Sequence, residues 1–320
     1  MHRHFVLVLS LLFSCLLSQA HADTRAEANA KNTALKTPTA NSQKSIAPQR
    51  GVLYRVSHKG NTSDLFGTVH VGQAAFYPLE PQVTRALSAA DKLVLEVDIR
   101  ETAMLQQSVM RHGIYPEGQI ITQHLSNASL EKLKQALQVA GIPFDNVARM
   151  KPWMVTNLLI VQAMARAGYP TEQGIELYLL AVAKKENKLV QQLETADYQL
   201  SLFNGLSDAQ QEEYLLENLA QLADGSAIKK GLALITAWQH ADNKALHAEL
   251  LELQSEQSTS AKFLQRVLLD ERNPNMANKI EALLKTDKKS FVAVGALHLI
   301  GDKGVPELLR QRGYKVQKIY

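Results

Sequence analysis

Two short segments carry the residues best suited to chemistry. In the first, Leu65-Phe66-Gly67-Thr68-Val69-His70-Val71-Gly72, an apolar strand-like run leads to a glycine with a histidine three residues on. The second, Val294-Gly295-Ala296-Leu297-His298-Leu299-Ile300-Gly301, repeats that order near the other end of the chain. A glycine at a strand end permits close backbone approach or a positive φ, and so can bring an imidazole to the mouth of a sheet. Either histidine alone is most simply a hydrogen-bonded structural residue; the pair in matching grammar points to a shared site.

The elements that would position them follow from hydrophobic periodicity. A β-hairpin is expected from Gly51–Val56 through the polar turn 57–64 into Leu65–His70, then a helix near 79–90 and a strand Lys92–Asp98 that ends in acidic residues. Helical spacing dominates between 101 and 287, with periodic stretches at 129–140, 151–167, 174–186, 208–222, 228–254 and 276–286. Lys188–Glu194 interrupts them as a strand that rejoins the sheet. The run Ser290–Gly295 suits a strand covered on both faces. It is followed by a helix from Lys303 to about Arg312, a stop at Gly313 and a last strand over 314–319. This is α/β grammar: a mixed central sheet from two pseudo-repeated halves, with a large helical insert, about 101–287, over the site.

Residues 1–22 read as a secretory leader, with His2, Arg3 and His4 before the apolar run Phe5–Leu17 and a small-x-small cleavage pattern at Ala20-His21-Ala22. The expected location is therefore outside the cytoplasm, periplasmic or secreted. Cys15, the only cysteine, lies inside the apolar run; it leaves with the leader, the alternative being a lipid anchor. Residues 23–50 have no apolar periodicity and read as a disordered tether before a folded region 51–320. No stretch of the mature chain is long and apolar enough to span a membrane. The formal charge of +4 is spread among mixed-sign residues, which argues against nucleic acid as a partner.

With those motifs in place, the chain resembles the TraB/GumN family, whose relatives include pheromone-shutdown proteins and the Tiki metalloproteases. The resemblance covers essentially all of 51–320. It rests on Gly67–His70, Glu96 in Val94-Leu95-Glu96-Val97-Asp98, Gly174-Ile175-Glu176-Leu177-Tyr178-Leu179, Leu193-Glu194-Thr195, Glu271–Met276 and Val294–His298. It implies a pocket where His70, Glu96, Arg272, Asn273 and His298 converge, and architectural kinship with the erythromycin esterase and haem-binding ChaN groups.

Two chemistries fit such a pocket. His70, His298 and Glu96 could hold a divalent metal, Mn, Co, Zn or Fe, whose bound water becomes a nucleophile near neutral pH. Without metal, one histidine would act as general base with Glu96 orienting it, Arg272 stabilising an oxyanion and Asn273 donating a second hydrogen bond. No His-Glu-x-x-His helix is present, so an ordinary zincin mechanism is not expected. The leading reading is a hydrolase of the metal-dependent peptidase kind acting on a peptide or other envelope-exposed substrate. The alternative is a non-catalytic protein that sequesters a peptide, haem or metal in the same pocket. Glu194 and Asp197 are expected to be solvated loop charges, the alternative being a pair that backs the site residues, and His112, His124, His240 and His247 to be structural or surface residues. A single helix from Gly231 to about Gln254 is expected to pack within the insert.

Overall fold

A computed structural model describes residues 50–320 of the chain. The expected leader, Cys15 and nearly all of the expected tether lie outside the described residues. The fold is mixed α/β, built on a six-stranded sheet in the order β4-β3-β5-β2-β1-β6.

The expected hairpin forms from β1 (Leu53–His58) and β2 (Asn61–Thr68), paired antiparallel with Leu53 opposite Phe66. The chain then crosses by helix α1 (Pro81–Ala89) to β3 (Lys92–Leu95). Four helices follow: α2 (Thr102–His112), α3 (Asn127–Ala140), α4 (Pro152–Arg166) and α5 (Ile175–Lys185). The strand-like interruption then rejoins the sheet as β4 (Leu189–Gln192), parallel to β3. A second helical run comprises α6 (Ala196–Asn204), α7 (Asp208–Ala223), α8 (Ser226–Gln239), α9 (Asn243–Ser255) and α10 (Thr259–Lys262). It continues through a π-helical segment, Phe263–Asp270, into α11 (Asn273–Thr286). Strand β5 (Lys289–Gly295) enters between β3 and β2, parallel to both. Helix α12 (Val305–Gln311) then leads to β6 (Lys315–Lys318), antiparallel to β1.

The central strands read as continuous apolar runs because both faces are covered. Phe66, Leu93, Leu95, Phe291 and Ala293 pack on one face with Val83 of α1, Leu179 of α5 and Trp238 of α8. The alternate residues Leu65, Val94, Val292 and Val294 pack on the other with Met276 and Ile280 of α11 and Leu309 of α12. This is the period-two alternation of a pleated strand used twice. Most remaining helices share a third apolar cluster around Trp153, Phe203 and Leu215.

The helix expected from Gly231 to about Gln254 is two helices. Ala241 takes φ 49°, and the Asp242 side chain accepts from the Ala245 N–H at 3.0 Å to start α9. Both halves keep their apolar faces in phase across the turn, so periodicity alone hides it; Asp242-Asn243 is the cap signal that marks it. Trp238 also packs beyond the helical layer, against Phe66 and Phe76, and its Nε1–H donates to the Gly67 carbonyl at 2.7 Å. Among the described residues, no helix is long and apolar enough to cross a membrane.

Candidate active site

Parallel pairing brings the carboxyl ends of β2, β5, β3 and β4 to one edge of the sheet, where open α/β sheets place their ligands. His70 lies two residues beyond β2, Glu96 directly after β3 and Glu194 two residues beyond β4. Gly295 ends β5, and the 3₁₀ turn Ala296–Leu299 carries His298. The expected histidine pair is therefore brought together by neighbouring strands, with Thr68 opposite Gly295 in the ladder.

Backbone bonds from Leu193 N–H to Leu95 O and from Glu194 N–H to Glu96 O, both 2.7 Å, prolong the β3/β4 pairing and set the two carboxylates side by side. Arg272 caps α11 just after the π segment, a helical irregularity that recurs at functional sites. Its Nη2 donates to Glu96 Oε2 at 2.8 Å and Glu194 Oε2 at 2.6 Å, Nε donates to Glu194 Oε1 at 3.1 Å, and Nη1 to Leu268 O at 3.1 Å. Gln199 of α6 adds an N–H to Glu194 Oε2 at 2.8 Å and to Glu96 Oε2 at 3.3 Å. All three ionic residues are buried, with Arg272 2% exposed. Burial works against ionised Glu96, but Arg272, His70 and the Gly295 amide, joined by His298 only where that ring is protonated, outweigh it and hold the carboxyl well below the ordinary carboxylate range.

The state of His298 follows from its neighbours. Asn273 donates its amide N–H to Lys303 O at 2.8 Å, which turns Oδ1 toward His298 Nδ1 at 2.6 Å. Nδ1 therefore carries the ring proton, and Nε2 presents a lone pair. That Nε2 is buried and has no hydrogen-bond partner. It stands 3.6 Å from Glu96 Oε1, which already accepts the Gly295 N–H at 2.5 Å. Burial first, then Arg272 and His70, push the ring down to about 3 against the pull of Glu96, so His298 is neutral at physiological pH. Two acceptor atoms thus face each other with no proton between them.

His70 is polarised the opposite way. Its Nδ1 lies 2.9 Å from Glu176 Oε1, which also accepts the Thr68 hydroxyl at 2.5 Å. Burial lowers the pKa of His70, but the Glu176 carboxylate and its hydrogen bond outweigh that and raise it. Glu176 reaches this position because α5 starts hard against the end of β2. A Cβ on Gly174 would come within 2.6 Å of the His70 carbonyl, closer than any side chain permits. At Gly295 the backbone is ordinary, with φ −51° and ψ 136°, so the glycine serves space alone. A Cβ there would lie 3.3 Å from Glu96 Oε1, 3.6 Å from His298 Cδ2 and 3.8 Å from His70 Nε2. His70, Gly295 and His298 line a gap of about 20 Å³ together with Thr68, Leu234 and Leu297. A water needs roughly 10–15 Å³.

All five expected site residues therefore meet at one strand edge. Arg272 is engaged by two carboxylates and a carbonyl, and the Asn273 side chain by His298 and Lys303, so both face partners within the protein. Glu194, expected as a solvated charge, is instead a buried partner of Arg272, 5% exposed. Asp197 is the exposed one, paired with Arg111 and His112. Glu176 and Gln199 had no role assigned from the sequence. A carboxylate two residues after a glycine at a helix start was the available signal for Glu176. Among the described residues, no three His, Cys, Asp or Glu side chains stand ready as a group to hold a metal ion.

A sequence model of the TraB/PrgY/gumN family matches residues 52–318. "Uncharacterized protein YbaP" of Escherichia coli (strain K12) is 27% identical over 259 residues, covering 77% of this chain and 87% of its own length. "Metalloprotease TIKI2" of Danio rerio is 23% identical over 303 residues, and that of Xenopus tropicalis 25% over 302. These matches cover 80% and 79% of this chain but only 58% and 57% of the relatives. No solved structure matches.

Proposed function

Because the chain belongs to the TraB/PrgY/gumN family, we propose that it is a hydrolase of the metal-dependent peptidase kind, exported to the cell envelope and acting there on peptide substrates. The observation that carries this reading is the bare, buried Nε2 of His298 at 3.6 Å from Glu96 Oε1, with His70 Nε2 beside them at Gly295. The distant relatives named as metalloproteases support the reaction class.

The residues fit a divalent cation, Mn, Co, Zn or Fe, by donor type: two imidazole nitrogens and a carboxylate, with His70, His298 and Glu96 as the holders. Charge favours it as well, since two buried carboxyl groups, Glu96 and Glu194, share the one buried guanidinium of Arg272. When bound, such an ion acidifies a coordinated water into a nucleophile near neutral pH. Asn273 keeps the His298 proton on Nδ1, so Nε2 remains a donor of electrons. Glu176 does the same for His70. Arg272 and Gln199 fix the Glu96 carboxylate in place, as partners behind metal-holding groups commonly do.

A metal-free route has its own support in the opposite polarisation of the two rings, which would let His70 serve as acid while neutral His298 accepts a proton. We also read the two Gly-x-x-His strand ends as repeats of one local unit, supported by their parallel pairing.

The test is elemental analysis of the purified chain after dialysis and reloading with each metal, beside His70→Ala and His298→Ala, followed by a peptide-library cleavage screen. About one metal per chain, lost in both variants together with cleavage, is the expected result. Cleavage without metal uptake would select the acid–base route, and stoichiometric ligand capture without product would sink the hydrolase reading in favour of sequestration.

A further inference from the structure

Sharing no lining residue with the strand-edge cluster, α3, α4, α7 and the start of α8 leave between them a cavity of about 570 Å³. Sites for organic ligands commonly span ~300–1,000 Å³. Ala136, Leu159, Ala163, Leu219 and Ile228 form apolar walls, and the alanines keep the helices' side chains from closing the space. Val139 sits at the mouth, 81% exposed, which is unusual for so apolar a residue.

The charges on this lining have one sign. Lys132 and Arg166 both contribute to it, and no acidic side chain does. Arg166 donates to the Val139 and Ala140 carbonyls, so its guanidinium is fixed at the end of α3. Lys132 has no acidic partner among the described residues. It lies one helical turn before Ala136 on the same face of α3. Gln162 adds a side-chain amide whose Oε1 is buried without a partner, so no protein donor fixes its orientation and the amide can turn its N–H₂ toward an anion. An apolar trough with a uniformly cationic edge complements a molecule with a hydrocarbon body and one negative end.

We propose that this cavity binds a free single-chain alkyl carboxylate, its tail along the alanine and leucine walls and its carboxylate at Lys132. The site is separate from the strand-edge cluster and does not depend on the reaction performed there.

Isothermal titration of the full chain with sodium dodecanoate, below its micelle concentration, tests it. One saturable site per chain is expected, with dodecyltrimethylammonium at least tenfold weaker. Lys132→Glu, a change at the surface, should weaken dodecanoate roughly five- to tenfold and narrow the gap between the two amphiphiles. Ala163→Phe, which fills the trough, should abolish binding. If that variant does not fold, the Lys132→Glu comparison decides alone. Equal binding of the cationic amphiphile, no saturable uptake, or attachment only to phosphatidylglycerol vesicles without binding of free dodecanoate would overturn the proposal.

Discussion

Gly295→Ala separates the gap at the strand edge from the stability of the fold around it. The backbone at Gly295 is one any residue adopts, so the substitution brings no φ strain. Gly→Ala at a compatible position stabilises by about 0.4–1 kcal/mol through the unfolded chain. Against this, the new methyl meets Glu96 Oε1 at 3.3 Å, a contact relieved by a shift of a few tenths of an ångström. The two effects nearly cancel, and net stability should stay within about 1 kcal/mol of the parent. The new methyl stands between the groups that would act, 3.3 Å from Glu96 Oε1, 3.6 Å from His298 Cδ2 and 3.8 Å from His70 Nε2. A misplacement of about 1 Å among reacting groups costs on the order of 100-fold in rate, so a methyl wedged beside Glu96 Oε1, His298 and His70 should lower turnover roughly ten- to 100-fold. Urea denaturation, metal uptake and peptide turnover measured on the same preparation provide the comparison. Full turnover at unchanged stability would refute the placement of chemistry beside Gly295.

Two further outcomes follow from the buried charges. Arg272→Met leaves Glu96 and Glu194 buried without their cation and should cost about 3–5 kcal/mol in urea denaturation; a loss below about 1 kcal/mol would mean the carboxylates find other partners. His298, lowered from 6.5 to about 3, contributes stability that is fully present above its ordinary value and lost as pH falls toward 3, because the unfolded ring takes up a proton first. His298→Gln should therefore flatten the pH dependence of stability between about pH 6 and 5 by up to ~1.4 kcal/mol per pH unit. His70, shifted upward, has the opposite sign: its contribution is complete below its ordinary value and disappears as pH rises through the raised one. An unchanged acid slope in His298→Gln would show that the ring is not neutral when buried.

Much of the sheet was legible because its strands bury both faces, and an uninterrupted apolar run such as Ser290–Gly295 has few other uses. The two histidines were legible because a glycine-spaced pair repeated in one strand-end grammar is a stronger signal than either member. Partners arriving from distant segments were harder. Glu194 carries no local mark of burial, and only the β3/β4 pairing with Arg272 behind it makes that carboxylate internal. Asn273 was legible only through the Glu271–Met276 motif, and its work on His298 depends on the Lys303 carbonyl, thirty residues away. The break between α8 and α9 was missed because two helices with aligned apolar faces look like one, while the polar turn at 240–242 is short.

Helix α8 places Leu234 at the edge of the gap, and its Trp238 is tied to Gly67, the glycine of the first motif. The helix is bracketed by two left-handed residues, Gly225 at φ 75° and Ala241 at φ 49°. His298 is 1% exposed, and the space beside it is the size of a water. On the hydrolase reading, contact between a peptide bond and the buried His298 would require α8 to shift at Leu234, and turnover would then include a step slower than the side-chain motions around it. The chemistry would then be timed by the indole's grip on a strand carbonyl, with solvent viscosity entering the observed rate alongside the pKa values of the histidines.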